Sequence, residues 1–294
     1  MKVSILSLVY NHEKYLVDFF SGILKQKFSD SFECIIGVDK STDATLQICK
    51  EYENKYPNIF KIIEHTTNVG MFNNFVSVLN ECSGEFIAIC EGDDYWIDEN
   101  KLAAQIQVLD KQKDAVICFT DIKCFDENEQ KYFSNWATIN TSIFSITDII
   151  TNNCISTCSV MFRKAAYNFS LSSMQNLPMV DWPFYINLLS NGNAIYINNT
   201  TAVYRMSSDG SYSKNTVLEQ LKKKQLVYNY LIEQNQLVKY KNCIAINQFL
   251  NKYAIAIRLE KSDINRKLLL KEIIVGMFYH KNLLLVAKAI FKYL

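Results

Sequence analysis

The chain has almost no surplus of either charge. Its 31 Lys and Arg stand against 30 Asp and Glu, a net charge of +1, so the basic footprint of a nucleic-acid binder is missing. It also lacks any run of the roughly 20 apolar residues needed to span a bilayer. Ile273 to Tyr279, the longest late run, is far too short. The nine cysteines form no C-x-x-C pair and no Cys/His cluster, which argues against zinc and against a disulfide framework. They read instead as small buried apolar residues in a reducing cytoplasm. His12, His65 and His280 are isolated along the chain and are assigned no chemistry. No glycine occurs from Leu8 to Glu13, so the Gly-rich phosphate loop that follows the first strand in many nucleotide binders is absent. There is no internal repeat and no low-complexity segment. Met1 to Leu6 lacks a small-residue cleavage site and runs on into the polar Asn11-His12-Glu13-Lys14; a first strand is expected there rather than a signal peptide.

At 294 residues, 49% of them apolar, one large domain with a C-terminal appendage is the default, with ample material for a core. Val3 to Val9 is strand-like and breaks at Tyr10-Asn11-His12, with Asn11 expected to cap a helix. Tyr15, Leu16, Phe19, Phe20, Ile23 and Leu24 then recur at helical spacing. Phe32 to Val38 is a second apolar run, ending at Asp39. Ser41 or Thr42 is expected to cap the next helix, with Asp43 in its first turn and an end before Pro57. Phe60 to Glu64 is a third strand, Asn68-Val69-Gly70 a turn, and Phe72, Phe75, Val76, Leu79 and Cys82 a third helix. Phe86 to Cys90 is a buried strand, Asp98 a cap for a helix bearing Leu102, Ile106 and Leu109, and Ala115 to Thr120 a further strand. This alternation is the pattern of a doubly wound, mostly parallel α/β sheet, in which ligands sit outside the carboxyl ends of the strands.

After residue 120 the pattern loosens. A hairpin is expected over Ile122 to Phe133, a strand over Thr157 to Arg163, and an aromatic, acid-bearing loop over Pro178 to Pro183. A helix begins around Trp182 and ends at Gly192. Two short strands follow, Ala194 to Ile197 and Thr201 to Arg205, and then a polar loop from Met206 to Lys214. From Val217 onward the chain reads helical.

Gly84 to Asp98 organises the rest. Its apolar strand stops abruptly at Glu91-Gly92-Asp93-Asp94, three carboxylates within four residues. Such charges repel one another unless a cation or a very polar ligand lies among them, and hard oxygen ligands suit Mg²⁺ or Mn²⁺. Gly92 leaves room for a close approach to the backbone. An acidic turn that merely ends a strand is the alternative. The polar residues Tyr10, Asn11, Asp39 and Glu91 to Asp94 all collect at strand ends.

The residues quoted above resemble glycosyltransferase family 2, whose members have the GT-A fold, over residues 1 to 210. Ser4 to Asn11 is similar to the family's first strand and Y-N turn. Val38-Asp39-Lys40-Ser41-Thr42-Asp43 is similar to its D-D-G-S-T-D loop, with Val38 in place of the first acid. Asn68-Val69-Gly70 matches N-x-G. Glu91 to Trp96 resembles the D-x-D-D-x-W metal motif, with Glu91 for its first Asp. Val180-Asp181-Trp182 resembles E-D-W, and Tyr204-Arg205 matches a closing Y-R. No basic residue follows the N-x-G stretch, and Met206-Ser207-Ser208 stands where a His often follows Y-R.

The resemblance implies transfer of a sugar, with inversion, from a nucleotide diphosphate donor, UDP being favoured, to an acceptor hydroxyl in polysaccharide or other glycoconjugate synthesis. It implies a divalent cofactor, Mn²⁺ or Mg²⁺, held by Asp93. Glu91 and Gly92 stand beside the metal, Glu91 acting through ribose or water. Asp39 would accept from uracil or ribose, or else serve only as a capping residue. Val9 and Tyr10 would line the base pocket, with Asn11, Asn68 and Gly70 nearby. Arg205 would reach the diphosphate or form a structural ion pair. Asp181 is the implied general base, with a pKa raised by its apolar setting. Trp96 and Trp182 would wall the sugar sites or belong to the core. A nucleotidyltransferase and a non-catalytic sugar-nucleotide binder are the competing readings.

The expected division is a catalytic unit over residues 1–210, with a nucleotide-sugar half at 1–120 and an acceptor half at 121–210, and a helical extension over 211–294. Lys281, Lys288 and Lys292 share one helical face opposite an apolar one. Such a helix either lies on an anionic membrane, where a lipid-linked acceptor would be presented at the inner, cytoplasmic face, or packs against the catalytic domain or a second subunit.

Overall fold

A computed structural model describes residues 1–134, 139–206 and 215–259, together with Lys267. The expected basic helix with Lys281, Lys288 and Lys292, and the loop from Ser207 to Lys214, lie outside the described residues.

Four parallel strands form the first half of the sheet: β1 (Val3–Val9), β2 (Phe32–Val38), β3 (Phe60–Glu64) and β4 (Phe86–Ile89). Between them run α1 (Leu16–Leu24), α2 (Thr45–Lys55) and α3 (Gly70–Glu81). β5 (Tyr95–Trp96), α4 (Lys101–Lys111), β6 (Ala115–Asp126) and β7 (Lys131–Ser134) follow. Then come β8 (Ile143–Phe144), α5 (Ile146–Thr151), β9 (Met161–Arg163), α6 (Asp181–Leu188), β10 (Asn193–Met206), α7 (Val217–Glu233) and α8 (Lys241–Ala256). The sheet order is β3-β2-β1-β4-β9-β6-β10-β5, with β7 on β6 and β8 on β10.

β1, β2 and β4 are strands for the reason their composition gives: buried on both faces over most of their length, they need not alternate, whereas β3 is the partly exposed edge strand. Val3, Ile5 and Val9 point into one core with Phe19, Phe20 and Leu102. Leu6 points into the other, with Val78, Phe162 and Phe184. α7 and α8 add Val227, Leu231 and Ile244 to this second core, so the C-terminal helices are packed onto the sheet's α3/α6 face. Among the described residues no helix is long and apolar enough to cross a membrane.

Four local expectations are corrected. Asn11 does not cap α1, which begins at Leu16; it sits at φ 54° and its side chain accepts from the Thr42 N–H at 2.8 Å. Neither Ser41 nor Thr42 caps α2. Ala44 holds the cap position with no side-chain bond, and the Asp43 carboxylate accepts from the Thr45 N–H at 3.0 Å in the turn before the helix. The expected strand over Thr157 to Arg163 is a 3₁₀ turn, Thr157–Ser159, followed by the short β9, and the two strands expected after Gly192 are one strand, β10, with shifts of register. β9 runs antiparallel between β4 and β6. It joins the parallel nucleotide-type half to the parallel β6–β10 pair.

Gly22 lets α1 approach β5. A Cβ placed there would lie 2.6 Å from the Trp96 carbonyl oxygen and 2.8 Å from its nitrogen, and backbone cannot swing aside as a side chain can. Gly22→Ala should therefore destabilise the fold by about 1–3 kcal/mol despite alanine's better helix propensity. A thermal melt checks this; an unchanged or raised Tm would show that β5 yields freely.

Candidate active site

Register brings the polar strand ends together. β1 and β2 pair so that Val9 faces Val38, and β1 and β4 pair with Leu6 facing Ile89. The ladder continues past β4, with the Gly92 N–H donating to the Leu8 carbonyl at 3.0 Å. Tyr10, Asp39 and the Glu91–Asp94 turn consequently share one carboxyl edge, where β4 lies on the opposite side of β1 from β2. That is the switch point at which open α/β sheets bind ligands.

Asp39 is buried at the end of β2. Its carboxylate accepts from the N–H groups of Lys40, Val69 and Gly70, each at 2.9 Å. It thereby ties the Asn68–Gly70 turn, and the start of α3, to the sheet. Asn68 is exposed at the head of this turn. Gly70 has φ +79° with nothing within 4 Å of the position a Cβ would take, so the space over it is open. Tyr10 is 46% exposed, whereas the Val9 side chain is buried and its carbonyl is taken by the Asp39 N–H at 2.9 Å.

Around the acidic turn, ligand oxygens of Glu91, Asp93 and Asp94 lie within 4.8 Å of one another. Thr157 donates to Glu91 Oε2 at 2.9 Å. Burial, then the neighbouring Asp93, pushes the Glu91 carboxyl up to about 8, and Asp181 adds to that push. Asp94 is driven well above the carboxylate range by burial and by the two adjacent acids. One of its oxygens accepts from the Arg205 N–H at 2.9 Å. The other is buried with only the Cys158 thiol beside it.

Arg205 holds this turn from behind. Its guanidinium donates to the Asp93 carbonyl at 2.9 Å and pairs with Asp18 of α1, stacked between Tyr15 and Tyr95 at 5.1 and 4.4 Å. The ion-pair alternative for Arg205 is thus realised. The Asp93 side chain keeps 31% of its surface exposed.

The close approach that Gly92 permits is made by His12. A Cβ on Gly92 would stand 2.9 Å from His12 Nδ1 and 2.8 Å from a Val9 methyl. His12 Nε2 is 3.9 Å from Asp93 Oδ2, and burial lowers its pKa, leaving it a neutral neighbour of the acids. His12 was invisible to sequence reasoning, which saw no clustered partner; the glycine three residues past a strand end was the signal.

Asp181 is the first residue of α6. Burial raises its carboxyl, and the N–H groups of Trp182 and of Asp181 itself pull it partly back. It is close enough to raise Glu91, and the buried Tyr185, one turn further along α6, feels both carboxylates. Asp181, from the second half of the chain, therefore lies within electrostatic reach of the acidic turn. Among the described residues, the buried side-chain polar atoms with no partner are His12 Nδ1, Asp94 Oδ2, Ser156 Oγ and Tyr185 Oη. Every one is on a segment that builds this site.

Trp96 and Trp182 do not wall it. They are 3% and 2% exposed, and their indole N–H groups are spent on the carbonyls of Cys158 at 2.9 Å and Ile149 at 2.8 Å. Both are core residues that brace the loops carrying the acids.

The donor set fits a divalent cation. Three hard carboxylates converge, and among the described residues no Lys or Arg side chain is paired with them and one Asp94 oxygen is buried without a hydrogen bond from a nitrogen or hydroxyl donor. Removing such charges from water is costly unless they are neutralised or coordinated.

Comparison with known proteins gives the family and the fold. Residues 4–169 match the family model described as Glycosyl transferase family 2. An uncharacterized protein of Mycobacterium tuberculosis is 33% identical over 208 residues, 71% of this chain and 60% of that protein. The chain thus spans about 60% of the length of the first curated relatives it matches. Poly(ribitol-phosphate) beta-N-acetylglucosaminyltransferase TarS of Staphylococcus aureus is 37% identical over 97 residues, 32% of this chain and 17% of TarS. The crystal structure of TarS 1-349 in complex with UDP-GlcNAc superposes with a TM-score of 0.68 at 19% identity, covering 93% of this chain and 81% of that one. A mannosyltransferase from Pyrobaculum calidifontis in complex with GDP-Man and Mn²⁺ gives a TM-score of 0.63 at 13% identity, covering 98% and 84%. At such identities the two superpositions show a shared fold.

Proposed function

The chain belongs to glycosyltransferase family 2, and on that premise we propose that it transfers a sugar, with inversion, from a UDP-sugar to a hydroxyl of a saccharide or lipid-linked saccharide acceptor. The observation that supports this reading is that Asp181, from the second half of the chain, lies within electrostatic reach of Glu91 in the acidic turn and raises it. A metal-binding turn alone would need no second carboxylate of this kind.

Asp93, whose side chain keeps 31% of its surface exposed, is the residue assigned to the cation, and Glu91 and the buried Asp94 flank it. A divalent ion bound there would offset the charge that builds on the leaving diphosphate. Asp39 holds the Asn68–Gly70 turn in the shape that leaves Gly70 open to the nucleotide. Tyr10 offers its exposed ring to the base. Arg205 fixes the backbone of the acidic turn. Asp181 takes the proton of the acceptor hydroxyl as that oxygen attacks. Direct attack from the face opposite the diphosphate inverts the anomeric centre. In this reading residues 1–120 serve the donor, 121–210 the acceptor, and the helices from Val217 buttress the acceptor side.

Thermal melts with UDP-GlcNAc, UDP-glucose and GDP-mannose, each with and without Mn²⁺, test the assignment. A productive donor at about 100 times its Kd should add about 2.7 kcal/mol to stability, and only when Mn²⁺ is present. Asp93→Asn should abolish the Mn²⁺-dependent part. A shift of equal size without the metal would remove Asp93 from the cation site.

A further inference from the structure

The 3₁₀ turn Thr157–Ser159 is clamped by three side chains that follow the acidic turn in sequence. The Trp96 indole N–H donates to the Cys158 carbonyl, and the Lys101 ammonium and the Gln105 amide both donate to the Ser159 carbonyl, each at 2.9 Å. Lys101 and Gln105 are fully buried and bonded to each other at 2.7 Å. A buried ammonium is costly unless it is paired, so the lysine stays on this carbonyl and the turn stays with it. Just beyond the turn, the Ile89 N–H of β4 donates to the Val160 carbonyl at 3.2 Å. The backbone of the turn has little freedom to shift.

From this fixed backbone the half-buried Thr157 directs its hydroxyl at the acidic turn, donating to Glu91 Oε2 at 2.9 Å. Among the described residues this is the one hydrogen bond the Glu91 carboxylate makes. Ligand oxygens of Asp93 and Asp94 lie within 4.8 Å of it. Glutamate has one more side-chain torsion than aspartate, and each staggered well is open to a chain in solvent. Glu91 is partly exposed, so without an anchor the repulsion of two neighbouring acids would turn this longest arm away from them.

We propose that Thr157 is a positioning residue for a divalent cation, its hydroxyl holding the Glu91 carboxylate in the orientation that keeps one of its oxygens with those of Asp93 and Asp94. The proposal rests on the assignment of the cation to the acidic turn. Thr157 does not touch the ion; it acts through Glu91.

The test titrates Mn²⁺ alone into the full-length protein and follows the free ion by electron paramagnetic resonance. Valine keeps the shape of threonine and removes the hydroxyl. Thr157→Val should therefore raise the Mn²⁺ Kd by about 10–100-fold, the range for losing a group that orients a metal ligand. Thr157→Ser restores the hydroxyl and should bind within about threefold of wild type. On a Glu91→Ala background, Thr157→Val should change the Kd by less than about twofold, because nothing is left for the hydroxyl to orient. The metal-free Tm of Thr157→Val should stay within about 10 °C of wild type. A Kd raised less than tenfold by Thr157→Val, no recovery with Thr157→Ser, or a further loss without Glu91 overturns the role of Thr157. So does a larger fall in the metal-free Tm, which would make the hydroxyl a part of the fold. In each of these cases weakened Mn²⁺ binding by Asp93→Asn leaves the cation assignment standing. Unchanged Mn²⁺ binding by Asp93→Asn would instead overturn that assignment, and the proposal with it.

Discussion

Replacing Asp181 by Asn should lower sugar transfer by about 10²–10⁴-fold, the range for removing a positioned general base, while donor affinity stays within about threefold. The amide keeps the shape of the carboxylate and the oxygen facing the first N–H groups of α6, so the helix start should survive. It removes a negative charge that raises Glu91, so the folded protein should be no less stable, and its Tm should hold or rise. These outcomes together separate chemistry from folding. The proton of the acceptor hydroxyl must leave as the oxygen attacks, and Asp181 at the start of α6 is a carboxylate close enough to the acidic turn to raise Glu91. A fall of less than tenfold in kcat with saturating donor and acceptor would mean that water or another group takes this proton. A large fall accompanied by lost donor binding would place Asp181 in donor recognition instead.

Much of this site was legible because its parts are local in sequence. The acidic turn announces itself as an apolar strand ending in three carboxylates, and the three acids do converge. Asp39 was visible as the residue that ends β2. Its partners were not, because the N–H groups of Val69 and Gly70 reach it only through the pairing of β2 with β3 and the turn that follows. Asp181 was legible through its motif, and the buried Tyr185 lies one helical turn beyond it.

What could not be read are contacts between residues far apart in the chain. Asp18 and Arg205 are separated by 187 positions, and neither has a local signature of the other. The insertion of β9 between β4 and β6 follows from tertiary packing, since a three-residue strand has too little periodicity to declare a direction. The tryptophans failed differently. Aromatic residues beside acids suit a sugar wall and a core equally well, and only the indole hydrogen bonds to Cys158 and Ile149 decide for the core. The helix caps moved because Asn11 and Asp43 bond across the β1–α1 and β2–α2 loops, an option that Asx side chains offer the backbone.

Alkaline pH should unfold this protein well before its lysines titrate. Cys34, Cys49, Cys82, Cys90, Cys118, Cys154 and Cys158 are buried free thiols, and burial is the first cause of the raised pKa of each. Cys49, Cys82 and Cys118 are pushed up to about 12 and Cys154 to about 11, from an ordinary value of 9.0. The folded chain thus keeps thiol protons that the unfolded chain gives up above pH 9. The unfolded state then binds fewer protons, and stability falls as pH rises, by about 1.4 kcal/mol per pH unit for each such thiol. At pH 10 the seven together cost on the order of 10 kcal/mol, comparable with the whole stability of an ordinary domain. Lys101 opposes them. Fully buried and bonded to Gln105 and the Ser159 carbonyl, it is lowered to about 8. The folded state sheds that proton first, so stability rises between pH 8 and 10.5 by up to about 3 kcal/mol. One lysine cannot offset seven thiols. Circular-dichroism melts in reducing buffer should therefore show a Tm steady to about pH 9, then a steep fall, with the native signal lost near pH 10 and recovered on return to pH 8. A Tm that moves by less than about 5 °C between pH 8 and pH 10 would mean that these cysteines ionise in place, and that the two cores flanking the sheet are wetter than their burial states.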